Sequence, residues 1–240
     1  MSNRIKVIFF DLGQTLVELS SLSSCMCNSL KKHLPRSNID INKLAYNWGH
    51  ETHKLFMEYR EKEFITTKEV HFLSLKKILK TEKINIADKI ARITVEDVWQ
   101  DFIKNNKLCP DVLPVLNQLK QSGYKLGLIT DSDLNVANGI IQKHKLTKFF
   151  DIKVVSSLIK TYKPNPIIFN EAIKLAKCTP EEGIYVGDSE IDIKGAKDVG
   201  LITAIVSRNE MHDPDIGIGP DFRINSLSEL PKLVSEINKI

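Results

Sequence analysis

The chain is short of everything that would carry it through a membrane or cross-link it. Its longest uncharged apolar run near the start of the 240 residues is Val7–Phe10, VIFF, far below the roughly 18 apolar residues that suggest a membrane span or the roughly 7 of a leader core. A cytoplasmic location is therefore expected, with no membrane partner. There are four cysteines, Cys25, Cys27, Cys109 and Cys178, with no CxxC pair and no second pair at zinc-finger spacing from Cys25 and Cys27. They read as reduced, structural thiols. Net charge is scarce too: +4, with the lysines scattered, too little to argue for nucleic acid. The basic surplus is concentrated in residues 20–108, which hold 16 Lys plus Arg against 11 Asp plus Glu. This reads as solvated helix faces, or as a basic lid that favours an anionic substrate. There are no internal repeats and no low-complexity tracts.

What remains is a chain long enough, and at 42% hydrophobic residues apolar enough, for a proper core. Residues 4–10 read as a buried strand. Strand patterns then vanish from about 20 to 106, where KLFMEYREKEF (54–64), KEVHFLSLKKILK (68–80) and IARITVEDVWQDFI (90–103) repeat apolar residues at three and four, as amphipathic helices do. From Pro110 the pattern alternates: helix 111–122, strand 125–130, helix 134–145, strand 151–155, helix 165–176, strand 183–187, helix 190–199 and strand 201–206. A strand near 221–224 and a helix over 226–238 follow. Gly123 and Gly200 fall where helices should end. Such alternation predicts an α/β fold with a doubly wound parallel sheet, a Rossmann-like core of residues 1–18 and 108–240, and an inserted all-helical domain, 19–107.

Four segments at strand ends could carry chemistry. Asp11, with Thr15 nearby, follows the first strand. Thr130 and Asp131, in LITDS, offer a hydroxyl and backbone N–H groups at a helix start, which suit phosphate oxygens. Lys163, in KPNPIIF, is stiffened by two prolines. GDSEID places Asp188 at a strand end and Asp192 one helical turn later. Singly, each has a plain structural reading as a turn, a helix cap or a solvated side chain. Together, in order and at the ends of one sheet, they point to a metal held between carboxylates beside a phosphate.

This ordered set resembles the haloacid dehalogenase superfamily, with the helical insertion in the position of that family's cap. The resemblance implies a hydrolase, most often a phosphatase or phosphotransferase of small phosphorylated metabolites. In it Asp11 attacks phosphorus, and Mg²⁺ bridges Asp11, the Gly13 carbonyl, Asp188 and the substrate. Thr130 and the Asp131 N–H would hold the transferring group, Lys163 would neutralise Asp11 and phosphate, Asp192 would orient metal-bound waters, and Thr15 would steady the first loop. Substrate contacts would come from the insertion, where Arg36, His50, His53, Arg60 and Lys62 are the candidates.

One position departs from the family pattern. Phosphatases of this type carry DxDxT, whereas this chain has Asp11-Leu12-Gly13-Gln14-Thr15. A metal contact through the residue 13 carbonyl survives that change, but the acid–base carboxylate is lost, and such help is typically worth about 10² to 10⁴ in rate. Two expectations follow: slow turnover that favours good leaving groups, or a replacement acid, with Glu18 nearest and His50 and His53 as other proton carriers. The alternatives are a 2-haloacid dehalogenase, which also lacks the second Asp and needs no metal, and a phosphate- or metal-binding module that has lost turnover.

Overall fold

The computed structural model describes residues 5–34, 39–208 and 219–239. The chain begins with β1 (Val7–Phe10) and then runs through four helices: α1 (Leu22–His33), α2 (Ile41–Tyr59), α3 (Thr67–Thr81) and α4 (Asp88–Asn105). Alternation follows as α5 (Val112–Gln121), β2 (Lys125–Thr130), α6 (Leu134–Lys143), β3 (Ile152–Val155), α7 (Ser156–Ile159), α8 (Pro166–Ala176), β4 (Gly183–Gly187), α9 (Glu190–Asp198) and β5 (Ile202–Val206). β6 (Phe222–Ile224) and α10 (Leu230–Ile237) complete it.

Among the described residues six strands pair in parallel, in the order β3-β2-β1-β4-β5-β6. The four residues of β1 are entirely buried, as a central strand covered on both faces requires. One core cluster joins Val7, Phe9, Ile129, Val154, Ile168, Phe169 and Tyr185. The chain builds outward from β1 to β2 and β3 and then crosses to β4 on the other side, so the winding reverses at β1 and β4. A crevice opens outside the carboxyl ends of strands at such a reversal. Phe10 pairs with Leu128 and with Val186, which brings the residues after β1 and β4 side by side.

The chain divides into two compact units. One comprises Met1–Glu18, Lys107–Asp131 and His144–Ile240, and the other Leu19–Asn106 and Ser132–Lys143. Helix α6 lies within the range expected for the core but clusters with the helical unit. Asp133, just before α6, accepts from the Thr67 and Lys68 N–H groups at the start of α3 at 2.9 and 3.0 Å, and Gly139 lets Ile103 of α4 press against the α6 backbone.

Two boundaries differ from expectation for identifiable reasons. KLFMEYREKEF does not stay helical, because α2 stops at Tyr59 where Arg60, Glu61, Lys62 and Glu63 offer nothing apolar to bury. The last helix starts at Leu230 rather than 226, since Pro231 fits only a first helical turn. Gly123 and Gly200 follow α5 and α9 with φ of +86° and +85°, the left-handed conformation that ends helices.

In the helical unit, His71 is buried in an aromatic box, 5.0 Å from the Trp99 ring and 5.9 Å from Trp48. Burial alone pushes its imidazole pKa down to about 4. The unfolded chain, titrating near the ordinary value of about 6.5, therefore takes up a proton that the folded state refuses between those two pH values. Stability from this residue is complete above about pH 6.5 and is lost as pH falls towards 4, by about 3 kcal/mol in all. Urea midpoints measured from pH 7 to 4.5 should fall accordingly, and fall less in His71→Leu; parallel profiles would contradict this.

Candidate active site

The strand ends set the positions. Asp11 leaves β1 with its N–H donating to Val186 O at 2.9 Å, which ties it to β4. The chain then closes into a tight loop. Thr15 N donates to Gly13 O at 2.6 Å, Val17 N to Leu12 O at 2.9 Å and Gln14 N to Val17 O at 2.7 Å, with Gln14 in the left-handed region at φ +56°. The Gly13 carbonyl keeps a second lone pair beyond the one the Thr15 N–H takes. The Thr15 hydroxyl reaches across to Asp188 Oδ1 at 3.2 Å, so Thr15 links the first and last segments as well as steadying its own loop.

Lys163 sits at the centre, 4% exposed. Its Nζ donates to Asp11 Oδ1 and Asp192 Oδ1, both at 2.6 Å, and to the Tyr185 hydroxyl at 3.2 Å. Its backbone N–H donates to Asp131 Oδ1 at 3.0 Å, joining the second segment to the third. Thr130 is buried at the last position of β2. Asp192 is saturated: Lys163 and Tyr185 (2.8 Å) donate to Oδ1, while the Ser189 hydroxyl (2.6 Å) and N–H (3.2 Å) donate to Oδ2. Ser189 caps α9 in a capping box with Asp192. Gly187 makes that approach feasible, because a Cβ there would lie 2.5 Å from Asp192 Cβ.

Carboxylate oxygens of Asp11, Asp188 and Asp192 all lie within 4.8 Å of one another, the one such group of potential metal ligands among the described residues. Three carboxylates face one ammonium, and their titration shows the imbalance. Burial, then the Asp192 charge, pushes Asp11 up to about 7 against the pull of Lys163. Burial, then Asp192 and Asp11, pushes Asp188 up to about 8. Asp192 goes down despite burial, because the Lys163 charge and the bonds from Lys163, Ser189 and Tyr185 outweigh it. Burial works against the Lys163 charge, yet Asp11 and Asp192 hold its pKa well above the ordinary value. Positive charge is what the cluster lacks. An all-oxygen donor set with this charge fits a small hard divalent cation, with Asp192 the most fully bonded of the three carboxylates.

Asp11, Thr15, Asp131, Lys163, Asp188 and Asp192 are thus joined by these bonds and distances, with Thr130 buried at the end of β2. Glu18 is half-buried, and its charge acts on the Cys109 thiol together with Asp111. His50 and His53 are exposed on α2 in the helical unit, Lys62 pairs with Glu58 at 3.4 Å, and Arg36 lies outside the described residues. Three contributors escaped the sequence reading. Ser189 was legible as an S-x-x-D cap. Tyr185 lay hidden in an apolar strand pattern. Arg208, far along the chain, donates to Thr15 O at 2.7 and 3.2 Å while gripping Asp111 through both terminal nitrogens.

The profile of the haloacid dehalogenase-like hydrolases matches residues 8–206. A glyceraldehyde 3-phosphate phosphatase of Methanopyrus kandleri is 32% identical over 249 aligned residues, covering 98% of this chain and 99% of its own. A pyrophosphatase PpaX of Bacillus cereus is also 32% identical, over 240 residues, with the same coverage. Among solved structures, the HAD-hydrolase YfnB of Bacillus subtilis, bound to magnesium, superposes with a TM-score of 0.80 at 21% identity, covering 96% of this chain and 99% of that one. An L-2-haloacid dehalogenase of Xanthobacter autotrophicus superposes with a TM-score of 0.74 at 18% identity, covering 96% and 98%. No helix among the described residues is long and apolar enough to cross a membrane. With the family profile spanning both the first and last strand-end segments, this chain belongs to the haloacid dehalogenase-like hydrolases.

Proposed function

We propose that the protein is a Mg²⁺-dependent phosphatase or phosphotransferase of small phosphorylated metabolites, working through a phosphoryl group carried on Asp11. The observation that carries this reading is the buried Lys163 ammonium, bonded to Asp11 Oδ1 at 2.6 Å beside the Asp11, Asp188 and Asp192 cluster. The two relatives named as phosphatases add weight to the choice of phosphate.

Each residue has a task. Asp11 attacks phosphorus, a bond forms between its free oxygen and phosphorus, and the bond to the leaving oxygen breaks. Water then cleaves the acyl phosphate at phosphorus and regenerates the carboxylate. Asp11, Asp188 and the Gly13 carbonyl would hold Mg²⁺, which when bound offsets the repulsion between nucleophile and substrate. A phosphate dianion about 4 Å from a carboxylate, at an effective dielectric near 20, is repelled by roughly 8 kcal/mol. Lys163 neutralises part of that from the other side. The Thr130 hydroxyl and the Asp131 N–H hold phosphoryl oxygens, and Asp192 keeps Lys163 charged and aimed. Catalysis of this kind is mainly positioning and electrostatics.

The decisive experiment is a screen of phosphorylated metabolites with and without Mg²⁺, run beside Asp11→Asn. Turnover should vanish in the variant and on chelation. Hydrolysis of a haloacid that survives metal removal would instead identify a dehalogenase.

Gly13 supplies no proton to the leaving group and no base to the attacking water. The phosphorylated Asp11 should accordingly form faster than it breaks down. Rapid mixing with an aryl phosphate and Mg²⁺ should give a burst, and Gly13→Asp should speed the later phase by about 10-fold or more, at the low end of acid–base catalysis. Progress that is linear from the first turnover would exclude slow hydrolysis as the limiting step.

A further inference from the structure

Tyr185 belongs to none of the four strand-end segments, yet its hydroxyl lies in the middle of the site. The side chain is fully buried in β4, its ring edge-on to Phe169 with centroids 5.2 Å apart. The hydroxyl donates to Asp192 Oδ1 at 2.8 Å and accepts from Lys163 Nζ at 3.2 Å. The Lys163 ammonium thus donates to Asp11, Asp192 and Tyr185.

We infer that Tyr185 is a positioning residue that divides the Lys163 charge between its two carboxylate partners. The inference rests on the phosphatase reading above for its kinetic consequence, but not for its structural one. Asp11 and Asp192 compete for a single ammonium at equal distances. Asp192 is anchored, since Ser189 holds its other oxygen, and an anchored anion with an unshared oxygen would draw Lys163 towards itself. By donating to Asp192 Oδ1, the Tyr185 hydroxyl satisfies part of that oxygen. By accepting from the ammonium, it helps to fix its rotation. Both effects leave one N–H directed at Asp11, where the phosphoryl group arrives. A phenylalanine would keep the ring contact with Phe169 and remove only this arrangement, taking one acceptor from the buried ammonium and one donor from Asp192 Oδ1.

Two readouts test this. In metal-free protein the Lys163 ammonium should give a slowly exchanging proton–nitrogen NMR signal, identified by its absence in Lys163→Arg, and Tyr185→Phe should shift or erase it. With p-nitrophenyl phosphate and Mg²⁺, kcat per folded molecule should fall about 10-fold in Tyr185→Phe with KM unchanged, the size expected for one hydrogen bond to a charged group. A residue that merely packs the core would lower stability and leave both readouts alone. Absence of the wild-type signal, a signal unmoved in the variant, or an unmoved kcat each overturns the inference. Should Tyr185→Phe not fold, 3-fluorotyrosine at position 185 strengthens the same donor, and the Lys163 signal must then move. If wild-type protein hydrolyses no phosphate ester, the phosphatase reading falls, and the ammonium signal alone decides the role of Tyr185.

Discussion

A single buried ammonium organises this protein's site. Lys163 and its two partners, Asp11 and Asp192, are nearly removed from water, and ions in that position are tolerable only when paired and hydrogen-bonded. The pairing recruits pieces from across the chain: Asp11 from β1, Lys163 from the turn before α8, Tyr185 from β4 and Asp192 from α9. None can drift without leaving another charge or hydroxyl unsatisfied. The reversal of winding between β1 and β4 makes the meeting possible, since parallel strands present their carboxyl ends on one side. Even so, one ammonium cannot balance three carboxylates, and burial with the neighbouring negative charges pushes Asp11 up to about 7 and Asp188 up to about 8. A buried site with this surplus of carboxyl groups is prepared for a cation.

Around that centre the loop from Asp11 to Val17 acts as a rigid cradle. Its own backbone bonds close it, Thr15 ties it to Asp188, and Arg208 clamps the Thr15 carbonyl. Arg208 is itself held by Asp111, which also accepts from the Ser226 hydroxyl at 2.7 Å and the Leu227 N–H at 2.8 Å. The last part of the chain thus reaches back to fix the geometry of its first functional segment. Gly13 sits inside this cradle with its carbonyl available and no side chain, so the loop retains the backbone oxygen expected of a metal ligand and lacks the carboxyl that would move protons.

Much of this was legible in the residues. Asp11 and Asp188 follow apolar strands and Thr130 ends one, and short continuous apolar runs against apolar residues spaced at three and four separate the sheet from the helical segment, because side-chain direction repeats differently in the two. Tyr185 was illegible for a physical reason. In a strand buried on both faces its ring satisfies the apolar pattern, and only the third dimension shows that its hydroxyl ends beside Lys163. Arg208 was invisible because its partner, the Thr15 carbonyl, is backbone and leaves no trace in the residue types. The grouping of α6 with the helical unit depends on Asp133 meeting the start of α3, a contact between segments about 66 residues apart. The early end of α2 and the late start of α10 are local events that the charged run after Tyr59 and Pro231 already announced.

The account depends on Asp11 and Asp188 gripping one divalent ion between them. Calorimetric titration of the protein with Mg²⁺ measures that directly: it should show one ion per chain, with binding lost in Asp188→Asn while the fold is kept. A chain that takes up no Mg²⁺, or that binds it equally well without the Asp188 carboxylate, would contradict the account.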